Sequence, residues 1–508
     1  MTNGNTIERI VFSDEITLWW RKETFEGADG YRLYLDGVYC GATDKTHYTF
    51  AGLAADGSYD IRLEALAGDS VLATVSDTIA TPAAKRRLDV TAPPYSAVGD
   101  GVTLNTAALQ RALDDCTAGD CVYFPKGTYL TGALDIHSDT EVYLAEGATL
   151  QGSPRATDYL PKIESRFEGT HMECYRSLIN MGVLNKDGGY SCENVVLRGK
   201  GSIFGGGRPL GLDILETERA ALREYLEANR DYVKTCENED TIPGRARGRL
   251  INMSNCRNVV IGGLDLGYAA SWNVHFTYCR DIVTYGCRIL SHHMYGEGGE
   301  VVREAVWNGD GWNPDSSERC AVFATEFNTY DNSIAIKSGK NPEGNVIGRP
   351  SRDILVFDCR GNDIAVGSEM SGGIDGVTVW DSTFVGGYGV NIKATRDRGA
   401  YIRNIHVRDC TLSCIMLRTR IACNNDGEAA GHLTSISDLL FENVALTGEY
   451  VDFSGREKQV APIYLDAFDE EEAAIRNVTV RGARILPGKL GEPKPNYFHN
   501  VKNLVIED

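Results

Sequence analysis

One short phrase recurs along most of this 508-residue chain: a polar pair that runs into a stretch of β-branched and other apolar residues. It reads CENVVLRG from Cys192, CRNVVIGG from Cys256, CRDIVTYG from Cys279, SRDILVFDC from Ser351 and IDGVTVWDS from Ile374. It continues as IRNIHVRDC from Ile402, ISDLLFENV from Ile436, IRNVTVRGA from Ile475 and VKNLVIED from Val501. Asp281 follows Asn258 by 23 residues, and Gly376 follows Asp353 by the same interval. A unit of that size cannot bury an apolar face alone, so copies must stack. Each unit is then one coil of a right-handed parallel β-helix, and longer gaps are loops thrown out of the stack. Asn258, Asn404, Asn477 and Asn503 recur at the bend, where amide side chains satisfy turn backbone groups and one another.

The expected fold class is all-β, with the β-helix preceded by a small β-sandwich. Residues 1–84 alternate apolar and polar residues in TIERIVFSDEITLWWR, GYRLYLDGVYCG and SYDIRLEALAG, giving short strands and no helix. Their order resembles a fibronectin type III domain, in which Trp19 and Trp20 serve as core or contact residues before sugar binders. Residues 85–96, within TPAAKRRLDVTAPPYSA, read as a linker, and 97–508 as the β-helix. An Asn-Thr start and the helical spacing of Leu109 and Leu113 predict a helix near 104–115 that covers the open end of the stack. The largest gap, 205–247, places Leu215, Leu222, Leu226 and Val233 on one helical face. An insertion there walls one side of a cleft, which points to action at a polymer end.

Composition narrows the partners. The net charge of −20 weighs against nucleic acid and anionic membranes, and no long apolar run offers a membrane span. The opening MTNGNTIERIVFSDE lacks the basic and apolar regions of a secretory signal, so a cytoplasmic location is expected. The 14 cysteines include no CxxC pair, and several share one place in the repeat, as small buried apolar residues do. Cys116 and Cys121 are expected to stay unpaired in a reducing compartment.

The chemistry concentrates in WNGDGWNPDSSERCAVFATEFNTYDNSIAIKSGK, residues 307–340. Asp315 and Asp331 flank one short strand, so adjacent coils put two carboxylates on one face. That is the pair glycoside hydrolysis needs. Over residues 95–508 the chain resembles glycoside hydrolase family 28, the polygalacturonase family, on motifs in the family's order: DGVTLNTAALQRAL, FPKGTYLTGAL, ASWNVHF, NPDS at 313–316, IAIKSG at 334–339, VGSEMSGG at 366–373 and NIKATRDRG at 391–399. IAIKSG and VGSEMSGG resemble its exo-acting bacterial branch.

The family's chemistry rests on NTD, DD, GHG and RIK, and three of the four are altered. NPD keeps its aspartate, Asp315, beside Asn313. DD reads Asp331-Asn332, GHG reads Gly361-Asn362-Asp363, and RIK reads Asn391-Ile392-Lys393. The resemblance implies Asp331 as proton donor and Asp315 as base, with Asn332 holding water but unable to take its proton. It implies Lys393, Asn391, Asn362, Asn313, Lys337, Glu369, Arg396 and Arg398 as substrate contacts, of which Lys337, Arg396 and Arg398 stand in for the lost arginine. No cofactor or metal is expected.

The activity so implied is inverting exo-hydrolysis of a terminal galacturonate-type sugar from pectin-derived oligosaccharides. Two alternatives stand beside it: a family-related glycosidase for a neutral sugar such as rhamnose, and a carbohydrate-binding protein that has lost turnover. Sequence leaves the oligomeric state open.

Overall fold

The computed structural model describes residues 7–234, 236, 238–421, 423, 427–452 and 455–507. The chain divides into two compact units, one ending at Arg87 and the other starting at Leu88. In the first, Glu8–Val11, Glu15–Trp19 and His47–Ala51 form a three-stranded antiparallel sheet. Val38–Thr43, Gly30–Leu35, Ser58–Ala67 and Ser70–Ala80 form a four-stranded one. The alternation drives Ile16, Leu18, Tyr31, Leu33, Phe50, Ile61 and Leu63 into one core. Trp20 is fully buried there, its ring 4.8 Å from that of Tyr31.

The second unit is a parallel β-helix. One of its sheets has 13 strands, nine of which carry the recurring phrase. Cys192–Gly199, Cys256–Gly262, Arg280–Tyr285, Glu318–Phe323, Ser351–Phe357, Ile374–Trp380, Tyr401–Arg408, Ser435–Glu442, Ile475–Arg481 and Val501–Glu507 pair in parallel, one after another. Register stacks like on like. Ile354, Val377, Ile405, Leu439 and Val478 form one buried column, and Phe323, Phe357 and Trp380 stack with centroids 4.7 and 4.3 Å apart.

The recurring bend explains its asparagines. Asn258, Asn404, Asn477 and Asn503 have φ of 55, 57, 58 and 54°, the left-handed region that asparagine tolerates better than most residues. Their amides form rungs: Asn258 Nδ2 donates to Asn194 Oδ1 at 2.7 Å and Asn503 Nδ2 to Asn477 Oδ1 at 3.0 Å. The cysteines sit in the same architecture, where Cys279 Sγ accepts from the Cys256 backbone N–H at 3.3 Å. All 14 are free thiols.

Two boundaries differ from the sequence reading. Within the expected linker, Arg86–Asp89 is the terminal strand of the 13-stranded sheet, with Leu88 buried. The insertion is not one helix but Gly207–Ala221, Arg223–Ala228, Arg230–Val233 and Thr241–Gly244. Only Gly207–Ala221 is long enough to bury a face, with Leu210, Ile214 and Leu215. The expected end helix is Thr106–Asp114, with Leu109, Ala112 and Leu113 buried in the main core. Among the described residues no helix is long and apolar enough to cross a membrane.

Candidate active site

A second series of parallel strands carries the polar motifs. Val274–Thr277, Trp312–Asp315, Ile334–Ile336, Arg360–Val366, Thr383–Lys393, Thr411–Arg418 and Ile463–Asp466 stack in that order. Ile334, Ile336, Ile364, Val366, Val390, Ile392, Ile415 and Leu417 fill the core, so the residues between them face outward.

Asp331 and Asn332 lie in the bend just before Ile334–Ile336, and Asp310 lies in the matching bend one coil earlier. Gly311 N donates to Asn332 O at 3.0 Å, which locks the two bends together. The approach demands glycine, since a β-carbon at 311 would lie 2.3 Å from Ser333 O. Asp310 is thereby a buried carboxyl beside Asp331. Burial first, and then the charge of Asp331, push its pKa up to about 8, against the pull of Lys337.

Lys337 bridges this pair to a third acid. Its Nζ is 3.5 Å from Asp310 Oδ2 and 3.4 Å from Glu369 Oε2, and it lies 4.6 Å from the centre of the Trp272 ring. Burial opposes its charge, but Glu369 and Asp310 hold the pKa above the usual lysine value. Glu369 is the reciprocal case: burial alone would raise it, yet Lys337, Lys393 and Arg398 bring it down to about 2. Next along the stack, Lys393 Nζ donates to Asn332 Oδ1 at 3.4 Å, and Asn332 Nδ2 donates to both Asp363 oxygens at 3.1 and 3.0 Å. Asp363 is 4% exposed, and burial lifts it to about 6 against Lys393 and Asn332.

Asp315 pairs in register with Lys337 at the edge of this cluster but is committed to other partners. It has no exposed surface: Arg166 Nη1 donates to Oδ1 at 2.8 Å, Gly339 N donates to Oδ1 at 3.0 Å, and His275 Nε2 is 3.4 Å from Oδ2. Burial works to raise its pKa, but Arg166 and His275 prevail and hold it well below the usual carboxylate range. Arg166 arrives on the hairpin Ile163–Phe167 and Thr170–Cys174, packed through Phe167 on Trp272 at 4.7 Å. The expectation that Asp315 opposes Asp331 across a cleft is therefore corrected. The missed carboxyl is Asp310, and its signal was present: Asn308-Gly309-Asp310-Gly311 repeats the Asn-x-Asp spacing just upstream of NPD.

The remaining expected contacts divide. Lys393, Lys337, Glu369 and Asn332 join the cluster, and Asn391 adjoins it, accepting from Arg418 Nη2 at 3.4 Å. Three others are occupied with the scaffold. Asn313 is fully buried and donates to Val274 O, Asn362 Nδ2 donates to Thr329 O at 2.6 Å, and Arg398, also fully buried, donates to Ser368 O, Asn341 Oδ1 and Cys423 O. Arg396 is exposed, paired with Glu470 over the Phe468 ring. Each sits in a motif but is engaged by the fold, although Asn313 Oδ1 is buried without a hydrogen-bond partner. Among the described residues no group of three or more His, Cys, Asp or Glu side chains is arranged to hold a metal ion.

Residues 91–195 match a family described as rhamnogalacturonase A/epimerase, pectate lyase-like. Curated relatives include an exo-poly-alpha-D-galacturonosidase of Dickeya chrysanthemi, 26% identical over 60% of this chain and 51% of that protein. A probable polygalacturonase of Vitis vinifera is 27% identical over 69% of this chain and 68% of its own length. The alignment thus spans about half the length of the Dickeya protein. Among solved structures, the family 28 exopolygalacturonase of Yersinia enterocolitica superposes with a TM-score of 0.78 over 98% of each chain, at 19% identity, and so has the same fold. With glycosyl hydrolases family 28 matching residues 188–452, just over half of the chain, this protein belongs to that family.

Proposed function

We propose that this protein is an inverting exo-glycosidase that removes a terminal galacturonate-type sugar from pectin-derived oligosaccharides. The observation that carries this reading is the pairing of Asp310 and Asp331 on adjacent bends with two lysines, Lys337 and Lys393, on the same outward face. The carboxyls supply an acid and a base; the lysines favour an anionic sugar. The names of the Dickeya and Vitis relatives support the substrate class, and the Dickeya name supports exo action. The insertion supports it too, since Gly207–Ala221 is tied down by Glu218 to Lys162 at 2.7 Å and by Arg208 to Glu304 at 2.9 Å.

The roles follow from charge. A close carboxyl pair shares its last proton. In the free site that proton rests on Asp310, whose burial and acidic neighbour favour the neutral form, and passing it to Asp331 leaves on Asp310 a charge that Lys337 balances. Asp331, half-buried and so open to substrate, then protonates the leaving oxygen, and Asp310 takes a proton from the attacking water. Asn332 cannot serve as base. Its amide is oriented by Asp363 so that Oδ1 meets Lys393 and steadies that cation.

The test is product analysis. Oligogalacturonides should yield monosaccharide from one end with inverted anomeric configuration by proton NMR. Internal fragments or retained configuration would overturn the reading, as would cleavage of neutral glycosides alone. Tight oligosaccharide binding without turnover would favour a carbohydrate-binding protein.

A further inference from the structure

Position 391 carries an amide where the family resemblance calls for arginine, yet a guanidinium stands beside it. Arg418 ends the strand of the following coil and pairs in register with Lys393, as Met416 pairs with Asn391. Neighbouring strands lie about 4.8 Å apart, so Arg418 is one coil step from Lys393 on the same outward column. Its Nη2 donates to Asn391 Oδ1 at 3.4 Å, and its guanidinium carbon lies 4.8 Å from the centre of the Tyr388 ring. Tyr388 is backed by Tyr450, with centroids 4.6 Å apart.

The neighbouring arginines are committed elsewhere. Arg396 pairs with Glu470, Arg420 with Asp466 and Asp469, and Arg398 with carbonyl and amide oxygens. Arg418 has no such acid among the described residues. Its Nε is buried without a hydrogen-bond acceptor, while an aromatic face and an amide oxygen fix the group in place. A guanidinium stacked on a ring keeps its N–H edge for an in-plane acceptor, and a carboxylate fits two of those donors at once.

We propose that Arg418 binds the carboxylate of the terminal sugar, supplying from the following coil, together with Lys393, the grip that Asn391 cannot. Asn391 positions it by accepting one of its N–H groups. The inference rests on the reading that this sugar is a uronate, and it adds that the site selects free acid over methyl ester through one residue outside the NIKATRDRG motif.

The experiment measures binding of digalacturonate and its methyl ester by calorimetry, and kcat/KM on tetragalacturonate, for wild type, Arg418→Lys and Arg418→Gln. The wild type should prefer the acid. Arg418→Gln should weaken acid binding by about tenfold or more, as loss of a charged hydrogen-bonded contact does, and leave ester binding unchanged. Unchanged ester binding also reports an intact fold. Arg418→Lys, which keeps charge without the fork, should recover only part of the loss. Equal losses for acid and ester, or none for either, would overturn the role of Arg418 while leaving the uronate reading in place. A wild type that binds acid and ester alike and cleaves only neutral glycosides would overturn both.

Discussion

At the scale of single residues, the separation of Asp310 from Asp315 makes opposite predictions for two aspartates five positions apart. Asp310→Asn and Asp331→Asn should each lower kcat by roughly 10²–10⁴-fold, the usual worth of general acid–base catalysis, in a protein that still folds. Asn332→Ala should cost far less, because it carries no transferable proton. Asp315→Asn should instead cost stability, on the order of 3–5 kcal/mol for a broken buried ion pair, by stranding Arg166. Because the folded pKa of Asp315 is depressed, that stabilisation is full above the ordinary carboxylate value of about 4 and is lost as pH falls below it. Activity has its own pH limits. Asp310 sheds the proton it holds for the pair as pH rises through about 8, so turnover should fall on that side. Asp363 takes up a proton as pH falls through about 6, which removes the charge facing Asn332 and Lys393. In Asp363→Asn the acid-side fall near that value should vanish from the kcat/KM profile; an unchanged profile would free Asp363 of any part in it.

At the scale of elements, the recurring bend is where sequence and structure agree most closely. Asn404 has φ 57° and donates to Asp375 Oδ1 at 2.6 Å, while Gly376 holds the same place one coil earlier at φ 88°. Asn404→Gly should therefore be nearly neutral, whereas Asn404→Val should cost about 1–2 kcal/mol through backbone strain, read as a shift in the denaturation midpoint. Equal effects would mean the rung, not the backbone, is what matters. Strands and bends were legible because each is local: a polar pair, a β-branched run, a left-handed residue. The cluster was only half legible. Adjacent coils could be inferred to bring Asp331, Lys337 and Lys393 onto one face, but which aspartate the face presents depends on Arg166, 149 residues from Asp315 on a hairpin that no repeat announces. Arg398 misled for the same reason, since burial by distant segments decides whether a motif residue meets solvent.

At the scale of the whole molecule, the two largest hydrophobic cores among the described residues are the Trp20 cluster of the first unit and the long column of the second that starts at Val90, and they share no described residue. Cooperative unfolding follows a shared core, so two cores predict two thermal transitions. Trp20→Ala removes a fully buried ring and should cost about 3–5 kcal/mol in the first unit alone. One calorimetric transition should then move down, while the other, and kcat on oligogalacturonides, stay where they were. Leu109→Ala, in the helix that closes the stack, should do the reverse, lowering the second transition by about 2–5 kcal/mol and exposing apolar coil ends to aggregation. Shortening the chain offers a stricter check. A protein beginning at residue 85 retains Arg86–Asp89, the terminal strand of the long sheet, and every member of the carboxyl and lysine cluster. It should fold and hydrolyse like the full chain, whereas one beginning at residue 97 loses that strand, uncovers the sheet edge next to Asp120–Phe124 and should aggregate. If Trp20→Ala or removal of residues 1–84 abolished hydrolysis, the first unit would have to take part in catalysis or in substrate binding.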